Sequence, residues 1–359
     1  MIPEDKYLLV KALKKEGLKV LMCGDGANDC PALKAANVGV SLSMEEPSVA
    51  ASFTSNEKDI SCLYELLKEG KCCLANSVQT FKFIILYSLN QFICNTLLNI
   101  YQSSLDDFQF LVADLFIIFP MEFFVAMIKP NDKLTYHYPN YNLNTFPIII
   151  SISGHFLIII AFQFGGYKIL KNYYKWENIC IINDEDEPLP CHENTILFLI
   201  SHFQYFGTAL ALFVSKPFRQ RLYTNWLLLI YLSGAYFYSI WITINCDNWS
   251  KKLFNLFDLE KKELEGEGKN NIIEGGKNIK YYLLIIVVVN TIVDNFYEWV
   301  IIRYINKAYE KYILKKFKKQ IEKQKLLIQN NYEEKKKIKE IHVVKYHRVF
   351  YYDRRKSKK

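Results

Sequence analysis

A carboxylate flanked by two glycines lies near the amino end of the chain, at Gly24-Asp25-Gly26, and Asn28 and Asp29 follow it closely. The glycines allow the backbone to bend sharply and to approach a ligand. Asp25 offers a hard oxygen of the kind that Mg²⁺ prefers, Asn28 offers an amide that can donate to a phosphate oxygen, and Asp29 can orient its neighbours. A plain glycine-rich turn capped by Asn or Asp explains the bare Gly-Asp-Gly triplet equally well.

The segments on either side of this turn predict a strand and a helix. Residues 18–22 form a short apolar run, and residues 28–36 are helix formers with Pro31 in the first turn. A helix is also expected at 5–16 and a second strand at 38–42. A carboxylate at the carboxyl end of a parallel strand, facing a helix N-terminus, is well placed to hold Mg²⁺ and phosphate. Two strands are too few for a doubly wound sheet, so this segment is expected to complete a larger one.

A second set of polar side chains lies inside an apolar stretch farther along the chain. Tyr87, Gln91, Asn95 and Asn99 recur every fourth residue, which places them along one slowly turning stripe of a helix. Polar groups in hydrocarbon are costly and usually face a protein interior, so these residues are candidates for a transport path. Contacts that only join neighbouring helices explain Asn95 and Asn99 equally well.

Carboxylates occupy the next apolar stretch. Asp107 and Asp114 are seven residues apart and nearly on one face, and Glu122 follows on a different face. Pro120 cannot donate to the carbonyl of Phe116, which predicts a kink between Asp114 and Glu122. Carboxylates, freed carbonyl oxygens and aromatic faces together suit an organic polycation.

Other polar residues in the apolar stretches are expected to be structural. Asp294 and Glu298 in the last stretch are interpreted as structural or interfacial rather than functional. His155, Gln163 and His202 are expected to be ordinary interhelical hydrogen-bond partners.

The composition predicts a polytopic α-helical membrane protein, because a chain of 359 residues that is 51% hydrophobic and 15% aromatic carries these residues in long runs. A single long helix is expected to start near Ile60 and to continue into the first span, with Lys68, Lys71 and Lys82 at the end that lies in water. Six spans are predicted, at about 81–101, 108–128, 146–169, 195–214, 226–244 and 281–302.

Charge is distributed unevenly along the chain. Residues 303–359 contain 20 Lys or Arg and six Asp or Glu, and such a tail beside a span is typical of the cytosolic side rather than of a nucleic-acid surface. Residues 171–193 contain two Lys and six acids, so this loop is expected on the lumenal side, where Cys180 and Cys191 either pair or stay free. Six spans then place both termini in the cytosol. The tail is either an amphipathic helix on anionic lipid or a solvated basic helix without a specific partner.

The longer string at residues 23–34, CGDGANDCPALK, resembles the hinge motif of the P-type ATPases, the pumps that form an aspartyl-phosphate. Its Ala27 and Cys30 are similar to subtype B of type V, the polyamine-transporting P-type ATPases. The resemblance continues through residues 38–43, 48–55 and 107–111.

This resemblance implies a HAD-like, Rossmannoid fold for the amino end and a role for several residues there. Asp25 would bind Mg²⁺, Asn28 would contact the phosphoryl group, and Lys6 would match the phosphate-neutralising lysine. The positions that match the family's polyamine path are Tyr87, Gln91 and Asp114, whereas Glu122 matches none.

The chain departs from the family in what it lacks. It contains no Asp-Lys-Thr-Gly-Thr segment, no nucleotide-binding domain and no Thr-Gly-Glu loop. We therefore expect residues 1–70 to be the C-terminal part of a phosphorylation domain, 71–302 a membrane domain and 303–359 a cytosolic tail. The implied cofactors are Mg²⁺ and ATP, with ATP bound mainly by other domains, and the chain alone is expected to lack turnover. The implied membrane is endosomal, lysosomal or vacuolar.

Two alternatives stay open from the sequence. A pump for inorganic cations would also use carboxylates and carbonyl oxygens, although one or two central acids per helix are few for a dication cage. A non-catalytic membrane protein that binds partners or lipids through its basic tail is the other.

Overall fold

The computed structural model describes residues 1–43, 49–57, 59–100, 103–135, 137, 139, 142–174, 192–213, 217–245, 248–256, 261–262, 271–272 and 276–335. The chain divides into two compact units, Met1–Ile302 and Arg303–Lys359. Cys180 and Cys191, whose pairing the sequence leaves open, lie outside the described residues, as does most of the acidic loop around them.

The amino end alternates helices with strands, as the sequence predicts. The elements are α1 (Pro3–Lys15), β1 (Leu21–Gly24), a 3₁₀ turn (Ala27–Asp29), α2 (Cys30–Ala35), β2 (Val38–Ser41) and β3 (Phe53–Thr54). The three strands pair in parallel in the order β1-β2-β3, with Leu21 opposite Val38 and Val40 opposite Phe53. β3 has only two residues, too few for a periodic pattern, and the sequence did not predict it. The parallel pairing places the turn after β1 at the carboxyl edge of the sheet.

Within the described residues, six helical segments are long and apolar enough to cross a membrane, in agreement with the predicted number. They are Ser61–Asn99, Asp107–Ala126, Phe146–Ile169, His192–Leu212, Trp226–Asn245 and Asn278–Lys316. The helices of the first five segments are α3 (Ser61–Asn99), α4 (Asp107–Leu111), α5 (Phe119–Ala126), α6 (Phe146–Tyr174), α7 (His192–Leu212) and α8 (Trp226–Asn245). A short helix α9 (Asn248–Phe254) and the two-residue strands β4 (Lys261–Lys262) and β5 (Asn271–Ile272) come next. The last segment begins with α10 (Gly276–Phe296) and a π segment (Tyr297–Ile302).

The predicted long first helix is confirmed, since α3 runs for 39 residues without a break. At 1.5 Å per residue it is about 58 Å long, well beyond the roughly 30 Å of a hydrocarbon core. The prediction that Lys82 lies in water is wrong, because Lys82 is only 3% exposed. A carboxylate on another helix compensates its charge, and the sequence around Lys82 gives no sign of that partner.

The second span changes its hydrogen-bond pattern between α4 and α5. A π-helix occupies Val112–Ile118, and the backbone N–H of Phe119 donates to the carbonyl of Asp114, five residues back. The disturbance predicted at Pro120 thus takes the form of a π segment just before it. π segments of this kind are frequent at functional sites.

The carbonyl that Pro120 leaves without a backbone donor finds one on a neighbouring helix. The hydroxyl of Tyr231 on α8 donates to the carbonyl oxygen of Phe116, and it lies 3.2 Å from that of Ile117. This is the general way in which proline is accommodated in a span.

Helix α7 is the centre of the membrane part. It is buried along nearly its whole length and packs against α3, α6 and α10. The outer helices instead expose large apolar side chains, among them Phe116, Phe237 and Ile292. Apolar side chains on the outside and a packed centre are what a lipid environment requires.

The described part of the second unit is one helix, α11 (Arg303–Lys335). It exposes Tyr304, Tyr312 and Leu314 beside its lysines. Contact of this helix with anionic lipid stays a prediction.

Candidate functional site

The structure brings Lys6 of α1 to the turn that follows β1. Its ammonium nitrogen Nζ lies 2.7 Å from Oδ1 of Asp29, and the Asp29 side chain is nearly buried. This ion pair fixes the lysine beside the glycine-rich turn, 23 residues away in sequence. A short charge-assisted contact of this kind orients the lysine as well as compensating its charge.

The two glycines of the turn differ in why they are needed. A Cβ on Gly24 would lie 2.6 Å from Cβ of Asp29, so only glycine allows Asp29 to approach this closely. A Cβ on Gly26 would meet its nearest neighbour at 4.0 Å. The packing of the turn therefore demands glycine at position 24 alone.

Asp25 and Asn28 are both exposed, Asp25 directly after β1 and Asn28 in the 3₁₀ turn before α2. Within the described residues no three His, Cys, Asp or Glu side chains gather into a metal site. Mg²⁺ commonly uses one or two carboxylates and takes its other ligands from water and phosphate oxygens. An exposed Asp25 fits such a site as its one carboxylate ligand.

The residue before the turn is Cys23, whose surroundings favour the neutral thiol. Burial raises the pKa of the Cys23 thiol, and nearby Cys62, Asp25 and Asp29 raise it further. A neutral thiol is a poor nucleophile and a poor metal ligand.

In the membrane part, three of the predicted path residues meet. The amide nitrogen Nε2 of Gln91 lies 2.7 Å from the hydroxyl of Tyr87 and 3.4 Å from Oδ1 of Asp114. Tyr87 also packs edge-on against Tyr205 of α7, with ring centroids 5.3 Å apart. Asp114 lies in the π segment and is exposed. One carboxylate, one amide and two aromatic rings are thus linked by successive contacts beside the π segment of the second span.

Two other acids of the second span lie apart from this group. Asp107 is exposed in the first turn of α4, after the N-cap Asp106, and about two helical turns before Asp114. Glu122 is half-buried, and its Oε1 has no hydrogen-bond partner among the described residues. The structure therefore shows no contact of Asp107 with Tyr87 or Gln91.

Two amides of the first span, Asn90 and Asn95, make contacts that hold neighbouring segments together. Oδ1 of Asn95 accepts a hydrogen bond from the backbone N–H of Leu105, which holds the connection to the second span. Nε2 of Gln163 contacts Oδ1 of Asn90, and it lies 3.2 Å from both Ser201 and Gln204. For Gln163 the expected interhelical hydrogen bonding is confirmed.

An ionic cluster that the sequence did not predict joins α3, α6 and the last span. Lys82 lies 2.7 Å from Oε1 of Glu298, and His155 lies 3.0 Å from Asp294 and 3.4 Å from Oε2 of Glu298. For His155 the expected interhelical hydrogen bonding is confirmed, and its partner Asp294 is a carboxylate. Lys82 could have been suspected because it stands in an apolar run, where a charge is tolerated only when paired.

The chain is similar to several P-type transport ATPases. It is 36% identical over 257 residues, 71% of its length, to the vacuolar cation-transporting ATPase YPK9 of Saccharomyces cerevisiae, of which this covers 17%. It is 39% identical over 227 residues, 63% of its length, to the polyamine-transporting ATPase 13A2 of Homo sapiens, of which this covers 19%. It is 37% identical over 238 residues, 66% of its length, to the cation-transporting ATPase catp-5 of Caenorhabditis elegans, of which this covers 20%.

These similarities confirm the resemblance to the polyamine- and cation-transporting P-type ATPases that the motifs indicate. No protein-family model matches the chain. The chain spans about a fifth of the length of the curated relatives it matches.

Proposed function

We propose that this chain supplies the membrane domain and the end of the HAD-like phosphorylation domain of an ATP-driven pump that moves polyamines across an organelle membrane. The names of its relatives support a transport ATPase, and the six candidate spans support a multi-pass protein. The parallel three-stranded sheet with a carboxylate at its carboxyl edge is the arrangement that a phosphorylation domain would need.

The contact of Gln91 with both Tyr87 and Asp114 carries the choice of an organic cation. A polyamine needs charge compensation at its ammonium groups and aromatic or polar contact along its length. Asp114 offers the charge, Tyr87 and Tyr205 offer ring faces, and the carbonyl oxygens of the π segment lie on the same helix. An exposed carboxylate at this depth is costly without a cation, so a positively charged substrate is its natural partner.

The glycine-rich turn would serve the phosphate chemistry. Asp25 would bind Mg²⁺, Asn28 would donate to the phosphoryl oxygens, and Lys6, held by Asp29, would neutralise phosphate charge. When bound, Mg²⁺ neutralises the charge that builds up on phosphate. Helix α3 starts shortly after this segment and carries Tyr87 and Gln91, so it provides a continuous link between the two sites.

ATP would be bound and hydrolysed with segments that these 359 residues do not contain, so we expect the isolated chain to show no turnover. Transport would run from the lumen of an endosomal, lysosomal or vacuolar compartment to the cytosol, with both termini cytosolic. A relative named as vacuolar supports an organelle.

Paired substitutions in a full-length pump test both halves of the proposal. Asp25→Asn should abolish the phosphoenzyme that forms from ATP, whereas Asp114→Asn should retain the phosphoenzyme and lose the stimulation of ATPase activity by spermine or spermidine. Asp107→Asn tests the other carboxylate of this span that is predicted to lie on the path, and its effect should be smaller because it is Asp114 that contacts Gln91.

Stimulation by Ca²⁺ or Mn²⁺ but by no polyamine, lost in Asp114→Asn, would favour an inorganic-cation pump instead. Normal phosphoenzyme in Asp25→Asn would remove Asp25 from its assigned role.

A further inference from the structure

Four ionisable side chains that the proposed function does not use meet inside the membrane part. They come from α3, α6, α10 and the π segment that follows α10, and each is at most 8% exposed: Lys82, His155, Asp294 and Glu298. Charged groups at such depth are tolerated when they compensate one another, so the way their charges balance determines what the cluster can bind.

Both carboxylates are fully engaged. Oε1 of Glu298 accepts from Lys82 at 2.7 Å, and Oε2 accepts from the hydroxyl of Ser151 at 2.6 Å. Oδ2 of Asp294 accepts from the amide of Asn290 at 3.0 Å, and its Oδ1 lies 3.0 Å from Nδ1 of His155. Such contacts offset the cost that burial places on an ionised carboxylate.

The ring of His155 lies between the two carboxylates. Its Nδ1 is 3.0 Å from Asp294, and its Nε2 is 3.4 Å from Oε2 of Glu298. A neutral imidazole has one N–H and one lone pair, so in either tautomer it turns a lone pair towards a carboxylate. The imidazolium form carries an N–H on each side and avoids this repulsion: Nδ1 donates to Asp294, whereas Nε2 faces Glu298 through charge alone and has no hydrogen-bond partner among the described residues.

Among the described residues, the other groups that contact the cluster are uncharged. Tyr297 packs edge-on against the ring of His155, and its hydroxyl donates to the carbonyl of Ile150. From α7 the approach to Asp294 is made by Gly207, where even a Cβ would lie 3.5 Å from Oδ2. With His155 protonated, two positive charges face two negative ones, and without that proton one buried negative charge is uncompensated.

We infer that this cluster is a proton-binding site of the membrane part, which holds one proton on His155 through the two carboxylates. The site depends on α3, because Lys82 supplies the second positive charge. Withdrawal of Lys82 from Glu298 leaves two carboxylates facing one imidazolium, so the cluster then holds its proton more tightly and gains affinity for another. Movement of α3 is thereby coupled to uptake of a proton from water.

The full 359-residue chain, labelled with ¹⁵N-histidine and placed in lipid nanodiscs, tests this inference by solid-state NMR. The chain has six histidines. At pH 8 about 97% of an ordinary histidine of pKa about 6.5 is neutral. We expect one imidazolium to persist there and to vanish in His155→Gln, while His202, whose described ring contacts are Phe198 and Tyr205, stays neutral as the internal reference.

Two variants are expected to shift the pH at which the imidazolium signal disappears in opposite directions. Asp294→Asn should release the proton, so that the imidazolium signal disappears at pH 8, whereas Lys82→Met should retain it to a higher pH than the wild type. Six neutral histidines in the wild type at pH 8 would overturn the inference, even if every variant failed to fold. Loss of the signal in Lys82→Met would overturn it as well. Because the measurement needs neither ATP nor polyamine, its outcome is separable from that of the proposed function.

Discussion

The ammonium nitrogen of Lys82 lies 2.7 Å from Oε1 of Glu298, and this ion pair joins α3 to the π segment of the last span, 216 residues away in sequence. Both side chains are almost wholly buried. Removing one partner of such a pair leaves an uncompensated charge, which typically costs about 3–5 kcal/mol. The pair therefore fixes α3, the helix that leaves the α/β segment, against the π segment that ends the first unit.

Lys82→Met should lower the stability of the chain by about 3–5 kcal/mol, because Glu298 loses its counter-charge. The double variant Lys82→Met/Glu298→Gln should recover part of this loss, since neither charge then remains. Thermal unfolding of the detergent-solubilised chain measures both. Lys68→Met on the same helix is the control and should change the midpoint little, because its partner Glu65 is exposed. Equal losses in the single and double variants would mean that the ion pair is not the cause.

Gly24→Ala should destabilise the amino end by about 1–3 kcal/mol, because its Cβ would lie 2.6 Å from Cβ of Asp29 and push that side chain away from Lys6. Gly26→Ala should stay within about 0.5 kcal/mol. The rate of limited proteolysis within residues 1–43 of the membrane-inserted chain reports on local opening. Similar rates for the two alanine variants would contradict the different roles that the packing assigns to them.

Tyr231→Phe should destabilise the membrane part by about 1–3 kcal/mol, because the carbonyl of Phe116 then loses its donor. Adding Pro120→Ala restores a backbone N–H at position 120, so the double variant should lose less. Tyr238→Phe on the exposed part of the same helix is the control. Thermal unfolding should then show a higher midpoint for the double variant than for Tyr231→Phe alone. Equal midpoints would mean that the hydrogen bond of Tyr231 does not compensate for the N–H that Pro120 lacks.

The sequence predicted the long helices and the first two strands, but neither β3 nor the contacts between distant helices. The apolar runs are long enough that six spans follow from length alone, and the absence of proline through residues 60–101 predicts the unbroken α3. The helix–strand alternation of the amino end follows equally from local periodicity. These features depend only on neighbouring residues, which is why they can be predicted.

The contacts between distant helices could not be predicted in this way. The pairing of Lys82 with Glu298 and of Tyr231 with Phe116 depends on how spans far apart in sequence pack, and one rotation of a helix would change it. The candidate site shows both cases. The spacing of Tyr87 and Gln91 placed them on one stripe, whereas the contact of Gln91 with Asp114 required the packing of two spans.

The Tyr87–Gln91–Asp114 group allows a graded test of how a polyamine is held. Tyr87→Ala should weaken spermine binding roughly 2- to 30-fold, since a cation–π contact contributes about 0.5–2 kcal/mol. Tyr87→Phe keeps the ring and should weaken binding less. Gln91→Leu removes the amide that contacts both neighbours, and should therefore weaken binding through Asp114 as well. Isothermal titration of the nanodisc-embedded chain measures each affinity.

Phe92→Ala is the matched control for these variants, because Phe92 is a large aromatic residue on the same helix with an exposed side chain and is not part of the Tyr87–Gln91–Asp114 group. Its removal should leave spermine binding unchanged. If Tyr87→Phe weakened binding as much as Tyr87→Ala, the hydrogen bond of the tyrosine hydroxyl with Gln91 would matter rather than the ring face. The site would then hold the cation through Asp114 and an ordered amide, and the proposed cation–π contact with Tyr87 would be wrong.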